Sequence, residues 1–230
     1  MNIEDIINII ESNPNIYEMM KYCPFEILKH WDYQEYSSGS IICRQGERYD
    51  LFLVIIKGYI NIYYMAENGK KYIQSIYKEG NFIGELEIFE GKPYICYVES
   101  LSDTKLLQLK QKHFLEWLNL DRYAHSFITK EICNQFYDLS QKAAEDTLYS
   151  LKKRICNYLL SYCLNKNDHI PIKINLEKEQ LSEMFAVTSR SVNRILKHLK
   201  EEGAIEIKLD SIIIKSSSLL AKEEKESLYD

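Results

Sequence analysis

Apolar positions change their spacing along the chain, and each change predicts a different kind of element. Over residues 3–29 they recur at helical steps, Ile3, Ile6, Ile7 and Ile10, then Ile16, Met19 and Met20. Pro14 and Pro24 interrupt this pattern, since proline lacks the helical N–H donor, so short helices packed on something larger are expected. From Trp31 to Leu109 short β-branched and aromatic runs take over, at 41–43, 51–56, 59–65, 72–77, 94–99 and 105–109, each predicting a strand. Turn signals separate them: Ser38-Gly39, Gln45-Gly46, Lys57-Gly58, Asn68-Gly69, Glu79-Gly80 and Gly91-Lys92-Pro93. Asn68-Gly69 is the strongest, because both residues tolerate the positive φ that a two-residue hairpin turn requires. Many short strands at this spacing predict a sandwich or barrel.

Residues 111–164 contain neither Gly nor Pro, and their apolar residues step by three and four, which predicts long helices. Phe114 and Leu118 begin the pattern, followed by a narrow stripe of Ile132, Phe136, Leu139 and Ala143. Such a stripe suits a helix lying along a partner helix in a dimer; burial against the chain's own barrel is the other reading. A following helix, about 147–164, is expected to bury Leu148, Leu151, Ile155, Leu159 and Leu160, with a polar break over 165–171.

After a short extended run at 170–174, residues 177–185 place Leu181, Met184 and Phe185 behind an acidic first turn, which suits a helix start. Ala186-Val187 forms a corner, and Thr188 can cap a second helix whose buried stripe is Val192, Ile195, Leu196 and Leu199. Its other face carries Ser189, Arg190, Asn193, Arg194 and Lys197. Those side chains suit a major groove: Arg can donate twice to guanine, Asn can pair with adenine, and Lys or Ser can hold phosphate. Two runs, 205–209 and 212–215, flank Asp210-Ser211 as a small hairpin. Helix, turn, helix and hairpin in that order predict a winged helix-turn-helix that binds duplex DNA.

Charge supports the DNA reading only locally. The chain has 29 Lys and Arg against 34 Asp and Glu, a net charge of −5. Residues 147–215 nevertheless hold 12 basic against 8 acidic side chains, while residues 1–146 hold 15 against 22. No apolar run reaches bilayer length, and the acidic start (Glu4, Asp5) is unlike a signal peptide, so a cytoplasmic protein without a membrane partner is expected. The six cysteines, Cys23, Cys43, Cys96, Cys133, Cys156 and Cys163, lack zinc or disulfide spacing and predict buried or neutral thiols. No nucleophile-base pair, metal spacing or phosphate loop suggests an enzyme.

With these elements in order, the chain resembles the Crp/Fnr family of bacterial regulators over nearly its whole length. The resemblance rests on Gly39, Gln45-Gly46-Glu47 and Gly58 in the barrel, Phe82-Ile83-Gly84-Glu85-Leu86 with Phe89 after it, and Ser191-Val192-Asn193-Arg194-Ile195-Leu196 in the second helix. It implies an α+β chain with a cyclic-nucleotide-binding-type β-barrel (a double-stranded β-helix), a long dimerisation helix and a C-terminal winged helix-turn-helix. The corresponding bounds are 1–120, 121–146 and 147–230. Gly84 to Val98 resembles the family's phosphate-binding cassette, which implies an effector site at Gly84, Glu85, Leu86, Tyr94 and Ile95.

Cyclic-nucleotide binders place an arginine on the phosphate where this sequence, after one deletion, has Tyr94. A phosphate buried without a cation is poorly compensated, which makes cyclic AMP doubtful; no cofactor is predicted, and an unknown small effector stays open. With only Cys23 near the N-terminus, the iron-sulfur branch is not expected, and the isolated His113, His125 and Cys96 do not suggest haem. In the second helix Ser189-Arg190 replaces the family's Arg-Glu pair, Arg194 matches its base-contacting arginine, and Lys178 aligns with a phosphate contact. Thr188 and Ser191 complete the candidate DNA-binding set. The implied protein is a homodimeric regulator on an inverted repeat, partnered by RNA polymerase if it activates; the alternative is a ligand-binding regulatory module without DNA contact.

Overall fold

The computed structural model describes residues 3–164, 170–176 and 178–227. They form two compact units, 1–135 and 136–230. The first opens with α1 (Ile3–Ser12), α2 (Pro14–Met20) and α3 (Phe25–Leu28). Asn13 caps α2 by accepting from the amides of Asn15 and Ile16, and Pro14 sits at the first turn, where a missing N–H costs nothing. Of the apolar residues expected on α1, Ile6 and Ile10 are buried while Ile7 stays exposed, because a ten-residue helix buries only one stripe.

Next come β1 (Asp32–Tyr36), β2 (Ile41–Cys43), β3 (Leu51–Lys57), β4 (Tyr59–Met65), β5 (Lys71–Lys78) and β6 (Phe82–Ile83). The unit continues through α4 (Glu85–Glu90), β7 (Tyr97–Ser100), β8 (Thr104–Lys110) and α5 (Gln111–Leu120), and its division from the second unit falls within α6 (Arg122–Leu148). Two antiparallel sheets, ordered β1-β8-β3-β6 and β2-β7-β4-β5, make the barrel. β3 is a continuous apolar run because it is buried on both faces. Phe52 and Val54 face a core shared with the helices, whereas Leu53 and Ile55 face the core between the sheets. Burying a side chain such as Phe52 fully stabilises by about 1.5–3 kcal/mol.

The β4–β5 connection departs from the two-residue turn expected at Asn68-Gly69. Its loop is Glu67-Asn68-Gly69, closed by Ala66 N–H to Lys70 O at 2.9 Å and Gly69 N–H to Ala66 O at 2.9 Å. Only Gly69 has positive φ there, as in a type I turn followed by a left-handed residue. The run at 94–99 also departs: β7 starts only at Tyr97, since Tyr94 leaves the ladder to enter the core between the sheets.

In the second unit α6 ends, and α7 (Leu151–Leu164), β9 (Ile172–Asn175), α8 (Lys178–Met184), α9 (Ser189–Glu201), β10 (Ile205–Ile207), β11 (Ser211–Ile214) and α10 (Ser217–Glu226) follow. Ile155, Cys156 and Leu159 of α7 meet the α9 stripe and the sheet β10-β11-β9 in one core. Leu148, expected to be buried, is 75% exposed because the chain breaks between α6 and α7 at Tyr149-Ser150. The expected run 205–209 stops at Ile207, which leaves Leu209 exposed at the wing tip. Most of the polar break at 165–171 lies outside the described residues. Of the cysteines, Cys43, Cys96 and Cys156 are buried, and burial pushes their thiols up, to about 12, 11 and 12; Cys133 is exposed. Among the described residues no helix is long and apolar enough to cross a membrane.

Candidate nucleic-acid interface and barrel cassette

α8 and α9 are joined by a corner at Ala186, which has a φ of +52°. This left-handed residue lets the Val187 amide turn back to Ser182 O at 3.0 Å and closes α8 within its last turn. Thr188 then starts α9: its Oγ1 accepts from the Ser191 amide at 3.2 Å and lies 2.9 Å from Ser191 Oγ. Because Val192, Ile195, Leu196 and Leu199 are all buried, the opposite face of α9 is turned toward solvent.

That exposed face carries Arg190, Asn193, Arg194 and Lys197. Thr188 is exposed beside the helix start; Ser189 and Ser191 are half-buried, and Ser189 Oγ lies 3.5 Å from Ser182 Oγ. Lys197 pairs with Glu201 at 3.7 Å across one helical turn. Among the described residues, neither Arg190 nor Arg194 forms an ion pair, so both guanidinium groups keep all five donors for another molecule. Lys178 begins α8, and the contact expected of its side chain lies outside the described residues.

In the barrel, Gly84, Glu85 and Tyr94 come together. Gly84, at φ +100°, ends β6 and starts α4, and Gly91, at φ +61°, ends α4. The Tyr94 ring is 3% exposed, packs edge-on against Tyr49 with ring centres 5.4 Å apart, and directs its Oη to Leu51 O at 3.4 Å. Glu85 is equally buried, and its Oε2 has no hydrogen-bond partner. Burial pushes its carboxyl up to about 8; nearby Glu87 adds to the rise, and its own backbone amide opposes it. Of the cations in the neighbouring loops, Lys92 pairs with Glu90 at 2.7 Å and Arg48 donates to Gly91 O at 2.7 Å. Leu86 and Ile95, the other two candidates, have exposed side chains. A cyclic phosphate fits this set poorly, since it would meet the buried phenol of Tyr94 where a cation is expected.

The apolar pattern marks neither α4 nor α10, whose Glu223 reaches α9. A capping serine at Ser216, accepting from Leu219 N, was the available signal for α10.

Two family descriptions match the chain: a cyclic nucleotide-binding domain over residues 33–121 and a Crp-like helix-turn-helix domain over residues 153–223. The cAMP-activated global transcriptional regulator CRP of Salmonella typhimurium is 24% identical over 193 residues, covering 81% of this chain and 91% of that protein. The cAMP-activated global transcriptional regulator Vfr of Pseudomonas aeruginosa is 21% identical over 198 residues, covering 82% and 92%. In fold, a CooA mutant from Carboxydothermus hydrogenoformans is similar with a TM-score of 0.73 at 17% identity, over 90% of this chain and 94% of that one. A barrel of the first kind followed by a helix-turn-helix of the second makes this chain a member of the Crp/Fnr family and a DNA-binding transcription regulator of that type.

Proposed function

We propose that the protein binds an inverted-repeat DNA site as a homodimer, with Arg190 and Arg194 of each copy reading base edges in the major groove. The observation that carries this reading is the pair of exposed, unpaired guanidinium groups on a helix whose other face is locked in a core. Asn193 is assigned to adenine, while Ser189, Ser191, Thr188, Lys197 and Lys178 are assigned to phosphate and positioning contacts. RNA polymerase is a further partner if the bound site activates transcription, and the cytoplasm is where such a protein meets DNA. No enzymatic role is assigned.

The dimer contact is assigned to α6. Its stripe divides: Ile132 packs on the core of its own unit, whereas Phe136 and the neighbouring Tyr137 are each 70% exposed and Leu139 is also exposed. A second copy of the same helix would cover those side chains. In the barrel we assign an effector other than a cyclic phosphate, because the buried phenol of Tyr94 stands where a cation is expected.

Genomic footprinting followed by titration of the recovered duplex at several salt concentrations tests the reading. An inverted-repeat footprint and an affinity that falls steeply with salt are expected, because phosphate contacts release counterions. A protein with no salt-dependent affinity for duplex DNA would instead be a ligand-binding module alone.

A further inference from the structure

Beyond the wing hairpin, α10 returns to the core of the second unit and meets α9 through a charged side-chain contact. Its Leu220 is fully buried in that core, and Ser150 Oγ donates to Ser227 O at 3.3 Å at its far end. Between them lies Glu223, 4% exposed, whose Oε2 is 2.7 Å from Lys152 Nζ of α7 and 2.8 Å from His198 Nε2 of α9. One carboxylate oxygen therefore joins three helices. The adjacent Lys153–Glu224 pair, 2.7 Å apart, ties α10 to α7 a second time.

Burial opposes ionisation of Glu223, but Lys152 and His198 together outweigh it and hold the carboxyl below the usual range. A buried ion pair of this kind is weak evidence for stability, since an apolar replacement often does as well. Its distinguishing property is direction. Apolar contacts along α9 resist separation of the helix, whereas a charge-assisted hydrogen bond fixes where one side chain points. His198 lies four residues beyond Arg194 and eight beyond Arg190, on the same row of the helix. A roll of about 20° would move a guanidinium about 2 Å, beyond the tolerance of a two-point contact.

We propose that Glu223 is a positioning residue for DNA recognition: anchored by Lys152, it holds His198 and so sets the roll of α9 that presents Arg190 and Arg194. This rests on the reading of α9 as the base-reading helix.

The test uses the full chain with the footprinted operator and a scrambled duplex of equal length, and measures the dissociation constant for both together with the unfolding midpoint. Glu223→Ala and His198→Ala are each expected to weaken operator binding about tenfold while changing scrambled-duplex binding less than about twofold. The double variant should be no weaker than either single one, because both remove one link. Glu223→Gln, which keeps an acceptor for His198, should retain most of the affinity. Equal losses on both duplexes, unchanged operator binding, or losses that multiply in the double variant would overturn the proposal. Should Glu223→Ala not fold, His198→Ala and Glu223→Gln decide by the same criteria. Arg194→Ala is measured alongside: if it leaves operator affinity intact, the reading of α9 itself fails, whereas loss there with none in the Glu223 and His198 variants overturns only the positioning role.

Discussion

Tyr94 closes over Gly84 so tightly that a Cβ at Gly84 would stand 2.7 Å from Tyr94 Oη and collide with the Leu51 carbonyl. With φ at +100°, the position is also costly for any residue with a side chain. Gly84→Ala should therefore destabilise the barrel unit by about 1–3 kcal/mol. Tyr94→Phe, which keeps the ring and gives up a long hydrogen bond to Leu51 O and a contact with the Cys43 thiol, should cost less. Thermal unfolding of the two variants checks this, and a Gly84→Ala protein as stable as the parent would contradict it.

Glu85 makes stability depend on pH in the direction opposite to a paired carboxylate. Its folded value of about 8 lies above the ordinary 4.5, so the folded state holds the proton more strongly than the unfolded chain. The barrel should be most stable below the unfolded value, and lose stability as pH rises from there toward about 8, by an amount on the order of a few kcal/mol. Glu85→Gln should flatten that slope and stabilise the unit at high pH. A parent and variant with the same slope between pH 5 and pH 9 would exclude the assignment.

His30 and His113 stack with ring centres 3.6 Å apart and planes within 9°. Desolvation first, and then His113, Lys29 and Lys112, lower the His30 value, with Glu116 opposing. Since the unfolded chain takes up this proton at higher pH than the folded one, the contribution of His30 to stability falls as pH drops through the ordinary histidine range. An NMR titration should show the His30 midpoint rising in His113→Gln; an unmoved midpoint would rule out the coupling.

Phe136 gives the most direct access to the assigned dimer seam. Phe136→Glu would place like charges at the shared contact and should weaken association at least tenfold. Sedimentation velocity would register a shift toward monomer; an unchanged dimer would move the seam elsewhere.

How much of this was legible along the chain depended on whether local and tertiary signals agreed. β3 could be read from its unbroken apolar run, and α9 from a cap and a four-residue stripe that point to the same helix. β1 could not, since Asp32–Tyr36 is mostly polar and pairs only with the distant β8. α4 is a six-residue helix whose ends are set by Gly84 and Gly91, and such a segment carries too few apolar residues to show a period. The acidic and basic residues of α10 suggest a solvated tail, and its role depends on partners more than 20 residues away. In the cassette, the substitution at Tyr94 could be seen from sequence, but its burial and the orphaned Glu85 oxygen could not, because both follow from packing between sheets.

The central claim is that the outer face of α9 reads DNA, and the operator affinity of Arg190→Ala and Arg194→Ala tests it most directly. Each variant should lose about 1–3 kcal/mol per half-site contact on the footprinted operator, with relaxed preference at the bases it contacts and little change on scrambled duplex. Binding by both variants as tight and as selective as the parent's would contradict the account.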